Sequence, residues 1–415
     1  MRKRLSYGDI AIEGERKYFD GNTKIVKYIV LRQSLASLAD NFSAPYIGYY
    51  LASLTPSGIT QGVLQFSTNA LPTLAQVLAG PYIDRFKKYI LTLFTSSVIA
   101  SLIWITISLT RNPTVLTILV TLRAIFVGIA GLSFTAFIGF MFSDIERGRI
   151  LSKVNATAQL MALIAFVVTA SLITPSVETL RLLFVFSGVL SFIASIFWLR
   201  MIYIDRSIAK DNLGREKGLL PALKVVTNNK SFVKFCVIYS CHMMAMALAW
   251  PWFPLMQKYV LNMSITEIAI LNICGTSSLM LFQYLITNYI HKLNVKKTII
   301  ISRIGFTTYA LSYAIANNPI QIYIANTILG PFTALSNTFI PLYIFRVSTY
   351  GMYASYLATL NFTQGMSAAL GSIIGGTIAD IIASNNNFYV LRYAMAVVAI
   401  LRGITALLHI KIDDR

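Results

Sequence analysis

Stretches of roughly 20 apolar residues, each about long enough for a helix to cross a bilayer core, recur along nearly the whole chain. Twelve such spans are read, at residues 28–53, 59–82, 89–109, 114–142, 149–174, 179–203, 232–257, 264–288, 298–317, 319–345, 352–382 and 388–410. Only 12% of the 415 residues are charged. A soluble chain carries about 25%. The spacing predicts an all-α integral membrane protein of twelve transmembrane helices.

The charges that remain are sorted by position. The net charge is +19, which raises nucleic acid as a partner. Of the 35 Lys and Arg, 27 fall in the tails, the central loop and the even-numbered turns with their flanking span ends. Only Arg111, Arg181 and Lys258 fall at the opposite ends. This is the positive-inside pattern, so the excess charge orients the chain and meets anionic lipid heads. No nucleic-acid partner is expected. Both termini read as cytoplasmic and the membrane as the plasma membrane. The first ~25 residues are polar and mixed in charge, with no cleaved signal peptide. Cys236, Cys241 and Cys274 lie inside apolar segments without metal-ligand spacing and read as small buried hydrophobes.

Residues 205–231 are charged and contain Gly214, Gly218 and Pro221. They divide the chain into a cytoplasmic tail (1–27), a first six-helix bundle (28–204), a cytoplasmic linker (205–231), a second six-helix bundle (232–410) and a cytoplasmic C-terminus (411–415). An internal repeat supports the division. "GPYIDRFKKYI" at 80 aligns with "TNYIHKLNVKKTI" at 287, matching Tyr82 to Tyr289, Ile83 to Ile290 and Arg85 to Lys292. "RGRILSK" at 147 aligns with "YGMYASY" at 350, matching Gly148 to Gly351 and Ser152 to Ser355.

Twelve spans, the six-plus-six split and the charged turn after span two together resemble the major facilitator superfamily of transporters (MFS) over essentially the whole chain. The most specific match is Gly80, Asp84, Arg85, Lys87 and Lys88; Lys87 stands where the family has a second Gly. The turn "SDIERGRIL", with Asp144, Glu146, Arg147 and Arg149, resembles the family's turn between spans four and five. Span four, "LRAIFVGIAG", and the small residues of span eleven, "GMSAALGSIIGGTIAD", also match. Span five lacks the Gly-Pro-rich motif of the family's drug/proton antiporters. The resemblance implies two pseudo-symmetric six-helix bundles around a central cavity. Asp84 is placed to meet the positive end of a cytoplasmic-side helix. With Arg85, Lys87, Lys88, Asp144 and Arg147 it forms a cytoplasmic latch that holds an outward-open state, unless these charges only enforce topology.

Ionisable residues at membrane depth are functional candidates by default. Asp40 is the one acidic residue read near mid-depth. Gln33, Ser37, Asp40 and Asn41 share a helical face, with Arg32 about two turns nearer the cytoplasm at its edge. Pro45 follows and predicts a kink. Arg123 in span four is the opposite charge, and the resemblance puts spans one and four on the same side of the cavity. Three roles stay open for Asp40 and Arg123: proton uptake and release, direct contact with a charged substrate, or a static buried pair.

Amides follow helical spacing in four other spans. They are Gln61, Gln65, Asn69 and Gln76 in span two, Asn272 and Gln283 in span eight, Asn326 and Asn337 in span ten, and Asn361 and Gln364 in span eleven. They line a watery path or join helices. Spans three and six carry no amide or charge in their middles, and the resemblance gives them a supporting role outside the cavity. In span seven, Trp250 and Trp252 bracket Pro251, as an interfacial aromatic belt or as a gate. His242 lies about two turns deeper, as a titrating group or a packing residue.

No phosphate-binding loop, metalloprotease motif or nucleophile elbow is present, so neither an ATP-driven pump nor an enzyme is expected, and no cofactor or metal. The reading is a monomeric secondary active transporter of a small-molecule solute, working by alternating access between its halves. A proton is the better coupling ion, because the mid-depth carboxylate stands alone. The alternatives are a passive facilitator, and a non-transporting sensor or scaffold of the same fold.

Overall fold

A computed structural model of the chain describes residues 25–86, 88–142, 144–172, 176–203, 226–287, 289, 292–349, 353–383 and 387–413. Lys87, the first 24 residues and residues 204–225 of the linker lie outside the described residues, as do the side chains of Asp84, Arg85, Asp144 and Arg147. All regular structure among the described residues is helical.

The first span cannot run unbroken, because Pro45 lacks an N–H and clashes with the preceding turn. It divides into α1 (25–41), a 3-10 turn at Ala44–Tyr46 and α2 (Ile47–Leu54). Then come α3 (Gly58–Phe86), α4 (Tyr89–Leu109), α5 (Pro113–Met141), α6 (Asp144–Leu172) and α7 (Val177–Leu199). The second half repeats this order. Its first span breaks around Pro251 into α8 (Lys230–Ala247) and α9 (Trp252–Tyr259). α10 (Ile265–Thr287), α11 (Val295–Ile315), α12 (Pro319–Val347), α13 (Tyr353–Ile382) and α14 (Leu391–Leu407) follow. The local signals repeat as well. Asn112 caps α5 ahead of Pro113, and Asn318 caps α12 ahead of Pro319. In each case the Asn side chain accepts from otherwise free first-turn N–H groups, and proline loses nothing at the first helical position.

Among the described residues, nine helical spans are long and apolar enough to cross a membrane. The other three are the broken first span, α3 with its four amides, and α11 with Lys296, Lys297 and Arg303. Polar residues at membrane depth must find partners in the protein, and Asp40, Gln61, Gln76 and Arg303 do, as shown below. The helix pairings repeat between halves: α3 with α5, α4 with α5 and α4 with α7 in the first, α10 with α12, α11 with α12 and α11 with α14 in the second. The chain is therefore twelve spans in two pseudo-symmetric bundles of six.

The buried side chains show how the bundles meet. At the end nearest residue 25, hereafter the proximal end, each half has its own core. Ile29, Ile90, Phe137 and Trp198 form one, and Phe235, Ile299, Tyr343 and Tyr356 the other. At the opposite, distal end a single core runs through both halves, from Tyr46, Tyr50 and Trp104 to Trp252, Leu255 and Tyr313. Besides α6 against α10, two seams carry the junction toward the distal end. In one, α2 meets α9: Lys258 Nζ donates to Tyr49 Oη at 3.3 Å, Tyr49 donates to the Met263 carbonyl at 2.9 Å, and Tyr259 donates to the Ala52 carbonyl. In the other, α3 meets α13 backbone to backbone. A Cβ on Gly62 would stand 2.7 Å from the Ser372 carbonyl oxygen, so only glycine fits there. Toward the proximal end the two helices part, leaving Leu74, Leu78 and Phe362 exposed.

Candidate functional site

The predicted polar face of α1 holds together. Gln33, Ser37, Asp40 and Asn41 all line one cavity of about 400 Å³ inside the first half, with Arg32, Ser97, Arg123 and Asn155. Ser37 Oγ donates to the Ala158 carbonyl at 2.8 Å, tying α1 to α6, and Asn41 Nδ2 returns to the Ser37 carbonyl at 2.8 Å. These bonds fix the rotation of α1 and with it the direction of Asp40.

Arg123 on α5 donates to Asp40 Oδ1 in an ion pair. Asp40 is the more open partner, with its side chain 39% exposed against 13% for Arg123. The carboxylate thus faces the cavity while the guanidinium is held behind it. Trp104 on α4 completes the arrangement: its Nε1 donates to the same carboxylate oxygen at 3.2 Å, and its ring lies 4.2 Å from the Arg123 guanidinium carbon. The Phe184 ring stacks on the far side of Trp104, with centroids 5.6 Å apart. A cation over an indole face gains roughly 0.5–2 kcal/mol, more when water is excluded. Arg32, also in the cavity wall, donates to Gln33 Oε1 at 2.5 Å and Ser97 Oγ at 2.8 Å, and lies 5.1 Å from the Trp198 ring. The cavity wall therefore carries two guanidinium groups against one carboxylate, and both side-chain donors to that carboxylate meet its Oδ1.

Trp104, Ser97 and Trp198 correct the expectation that spans three and six only support the outside. A signal existed in the sequence: Trp104 and Trp198 are half of the four tryptophans, and each lies in one of the two spans that carry no amide or charge in their middles.

The other predicted residues are not brought to this pair as a set. Gln65 and Trp104 line an adjoining cavity of about 400 Å³ that shares Arg123 and Val127 with the first. Gln61 and Gln76 join helices, donating to the Gly48 and Gly128 carbonyls at 2.7 and 3.0 Å. Asn69 bonds back to the Gln65 carbonyl. Asn272 bonds to the Ile268 carbonyl and lines a separate hollow of about 180 Å³ in the second half. Asn337 and Asn361 are exposed, and Gln364 reaches Asn361 at 3.5 Å. Gln159 and Gln283 bond across the halves at 3.1 Å. A further hollow, about 500 Å³ between α8 and α13, is lined by Cys236, Met244, Phe362 and Met366 with no charged residue in its lining.

His242 is fully buried. Its Nδ1 meets Thr405 Oγ1 at 3.0 Å, and its ring packs edge-on against His409. Trp250 sits half-buried in the break between α8 and α9. Trp252 is no interfacial residue: it is buried and donates to the Gly375 carbonyl at 2.7 Å. The charged proximal turns give no side-chain geometry, since Asp84, Arg85, Lys87, Asp144 and Arg147 fall outside what is described; Gly80 and Lys88 are described, and Gly80 lies near Leu132.

One acidic residue had no place in the sequence reading. Asp380, near the distal end of α13, accepts from Ser57 Oγ at 3.1 Å, from the Ile59 N–H at 3.0 Å and from the Gly58 N–H. It therefore caps α3 from the other half of the molecule.

Comparison with known proteins agrees with this architecture. No curated protein sequence matches. Among solved structures, the nucleoside transporter NupG superposes with a TM-score of 0.73 at 12% identity, covering 94% of this chain and 99% of that one. A bacterial homologue of the human lysosomal transporter Spinster, in an inward-facing and unoccupied conformation, superposes with a TM-score of 0.71 at 12% identity, over 93% and 96%. At that identity the likeness is one of fold. The Major Facilitator Superfamily profile matches residues 29–359, which include nearly all of the first bundle, the charged turn at Gly80 and the Asp40–Arg123 pair: the chain is a multi-pass membrane protein that belongs to the Major Facilitator Superfamily.

Proposed function

We propose that the chain is a proton-coupled secondary active transporter that moves a small solute by alternating access. The observation that carries this reading is the Asp40–Arg123 pair in the wall of a cavity. An ion pair with one titratable, cavity-facing member has two stable arrangements. With Asp40 ionised, Arg123 is bound to it. With Asp40 protonated, Arg123 is released to another acceptor, at a cost in desolvation that a solute can offset. Trp104 keeps the guanidinium in place through the exchange.

The surplus of guanidinium over carboxylate favours solutes that offer an anionic or strongly accepting group. The seams at one end and separate cores at the other support a rocking motion of halves bounded at 28–204 and 232–410 and joined by the linker 205–231. The sorting of basic residues supports cytoplasmic termini, which makes the distal end the outer one, in a plasma membrane. The reading assigns solute, proton and lipid as partners of a monomer, and transport rather than catalysis.

Sealed proteoliposomes with an inside-alkaline gradient test this. Internal pH and charge movement are recorded while a panel of metabolites and amphiphiles is perfused. A substrate-triggered proton flux that is absent in Asp40→Asn is expected. Solute flux without proton movement, equal in wild type and mutant, would make the protein a facilitator and Asp40 a structural residue.

A further inference from the structure

The helices α3 and α13 run antiparallel across the junction of the halves, and each ends on the same pattern. α3 closes with Gly80-Pro-Tyr-Ile-Asp84 and α13 with Gly376-Thr-Ile-Ala-Asp380. Each aspartate is the third residue from its helix's end. A carboxylate is disfavoured at a helix C-terminus, where the macrodipole is negative. An aspartate kept there needs a donor from outside its own helix.

For Asp380 that donor is the first turn of α3. The Gly58 and Ile59 N–H groups have no acceptor within α3, and both point at the carboxylate. Ser57 Oγ donates to it as well, while itself accepting from the Thr60 N–H at 3.2 Å. Bonds of this kind, with an ionised acceptor, are about twice as strong as neutral ones, and the positive end of α3 adds to them. A Cβ on Gly58 would stand 2.6 Å from the Gly376 carbonyl oxygen, so the bonds and the close backbone approach form at one place.

We propose that Asp380 is the latch of the distal gate. Its bonds to the N-terminus of α3 help hold the halves together at that end, and with those of the α2–α9 seam they must break for the distal side to open. The latch spans two bodies that move relative to one another under the transport reading, on which this inference rests. Within one body the same capping would only stabilise a helix.

The test reads the gate directly and needs no solute. Spin labels go onto Leu109→Cys and Ile320→Cys, exposed positions at the distal ends of α4 and α12, in a background with Cys236, Cys241 and Cys274 replaced by Ser. Distances between the labels are measured by pulsed electron resonance in lipid nanodiscs. The expected result is that Asp380→Asn raises the ratio of long to short distances at least about tenfold, with Asp380→Glu less shifted. Ser57→Ala, a milder change at the partner, moves the ratio the same way by less. Each variant is first checked for monodispersity.

Distance distributions of folded Asp380→Asn and Ser57→Ala that match the parent within twofold overturn the latch. The outcome separates from that of the transport reading. An undisturbed gate in a protein that still carries proton-linked flux sinks the latch alone. A shifted gate in a protein that carries no flux leaves the latch standing and sinks coupled transport.

Discussion

Arg123 in the first half and Arg303 and Arg402 in the second are held by different means. In the first half Arg123 meets a carboxylate, Asp40, that also faces a cavity. In the second half Arg303 and Arg402 are buried, and among the described residues neither pairs with a carboxylate. Arg303 donates to Ser336 Oγ and lies 4.8 Å from the Tyr239 ring. Arg402 donates to the Met246 carbonyl at 2.6 Å and, more weakly, to that of Phe306 at 3.4 Å. Met246 falls in the last turn of α8, where carbonyls have lost their helical acceptor role because the helix breaks at Ala247. Arg402 supplies both the donor and the positive charge that such an end favours. A guanidinium held by backbone carbonyls has no partner that changes with pH; one held by an open carboxylate does. The comparison assigns exchange of partners to the first half and scaffold to the second.

The largest expected effect tests the first side of that contrast. Asp40→Asn keeps the shape of the side chain and its bond from Trp104, and removes the titratable charge. Proton-driven uptake should fall by about 100-fold, the scale on which one positioned proton-transfer group is felt. Counterflow of solute at equal pH should persist. Loss of both with normal stability would make Asp40 a solute ligand instead.

Next in size is the other side. Arg402→Ala leaves the Met246 carbonyl buried and unpaired, and should cost about 2–3 kcal/mol, the scale of a hydrogen bond to a charged group. This is read from thermal unfolding in detergent. The fraction that remains folded should transport at the wild-type rate. A stable variant with abolished coupling would break the comparison, because it would put a second-half arginine on the proton path.

Much of this could be read from the residues. Apolar run length fixed twelve spans, and Pro45 and Pro251 mark the two breaks that create α2 and α9, the short helices of the distal seam. The i, i+4, i+7, i+8 spacing put Asp40 on a face with Gln33, Ser37 and Asn41, and all four line the cavity. The amides were harder. Helical spacing cannot distinguish an amide that faces water from one that bonds to a neighbouring helix, and Gln61 and Gln76 do the second. Trp104 was missed because an indole scores as apolar, although its N–H is what reaches Asp40. Asp380 was missed because it lies close to a span end, where an acidic residue costs little; its meaning comes from Ser57, Gly58 and Ile59, more than three hundred residues away in the chain.

Trp104 offers a third, smaller test. Trp104→Phe keeps an aromatic face under Arg123 but removes the donor to Asp40. The lost bond has a charged acceptor in a partly open site, so a change of about 1.4 kcal/mol, or tenfold, is the upper expectation. It should appear as a fall in proton-driven uptake of up to that factor. Uptake equal to that of the wild type would mean that the ring and not the N–H holds the Asp40–Arg123 pair.

The smallest effect is expected at His242, and it bears on the comparison most sharply because histidine is the side chain that titrates nearest neutral pH. His242 has no exposed surface, and it faces Thr405 and His409 between α8 and α14, on the side of α8 that carries Arg402's acceptor. Charging it would add a cation to a region that already buries Arg303 and Arg402 without a carboxylate partner among the described residues. That argues for a neutral ring that packs and donates or accepts one bond. His242→Asn keeps a group able to meet Thr405 and loses part of the ring volume, so stability should fall by about 1 kcal/mol, within the usual range for a point substitution. Uptake should change by less than about twofold, and the pH profile should keep its midpoint and slope. A profile that loses one titration step in His242→Asn would place a proton-carrying group in the second half and make the division between a reactive half and a scaffold half untenable.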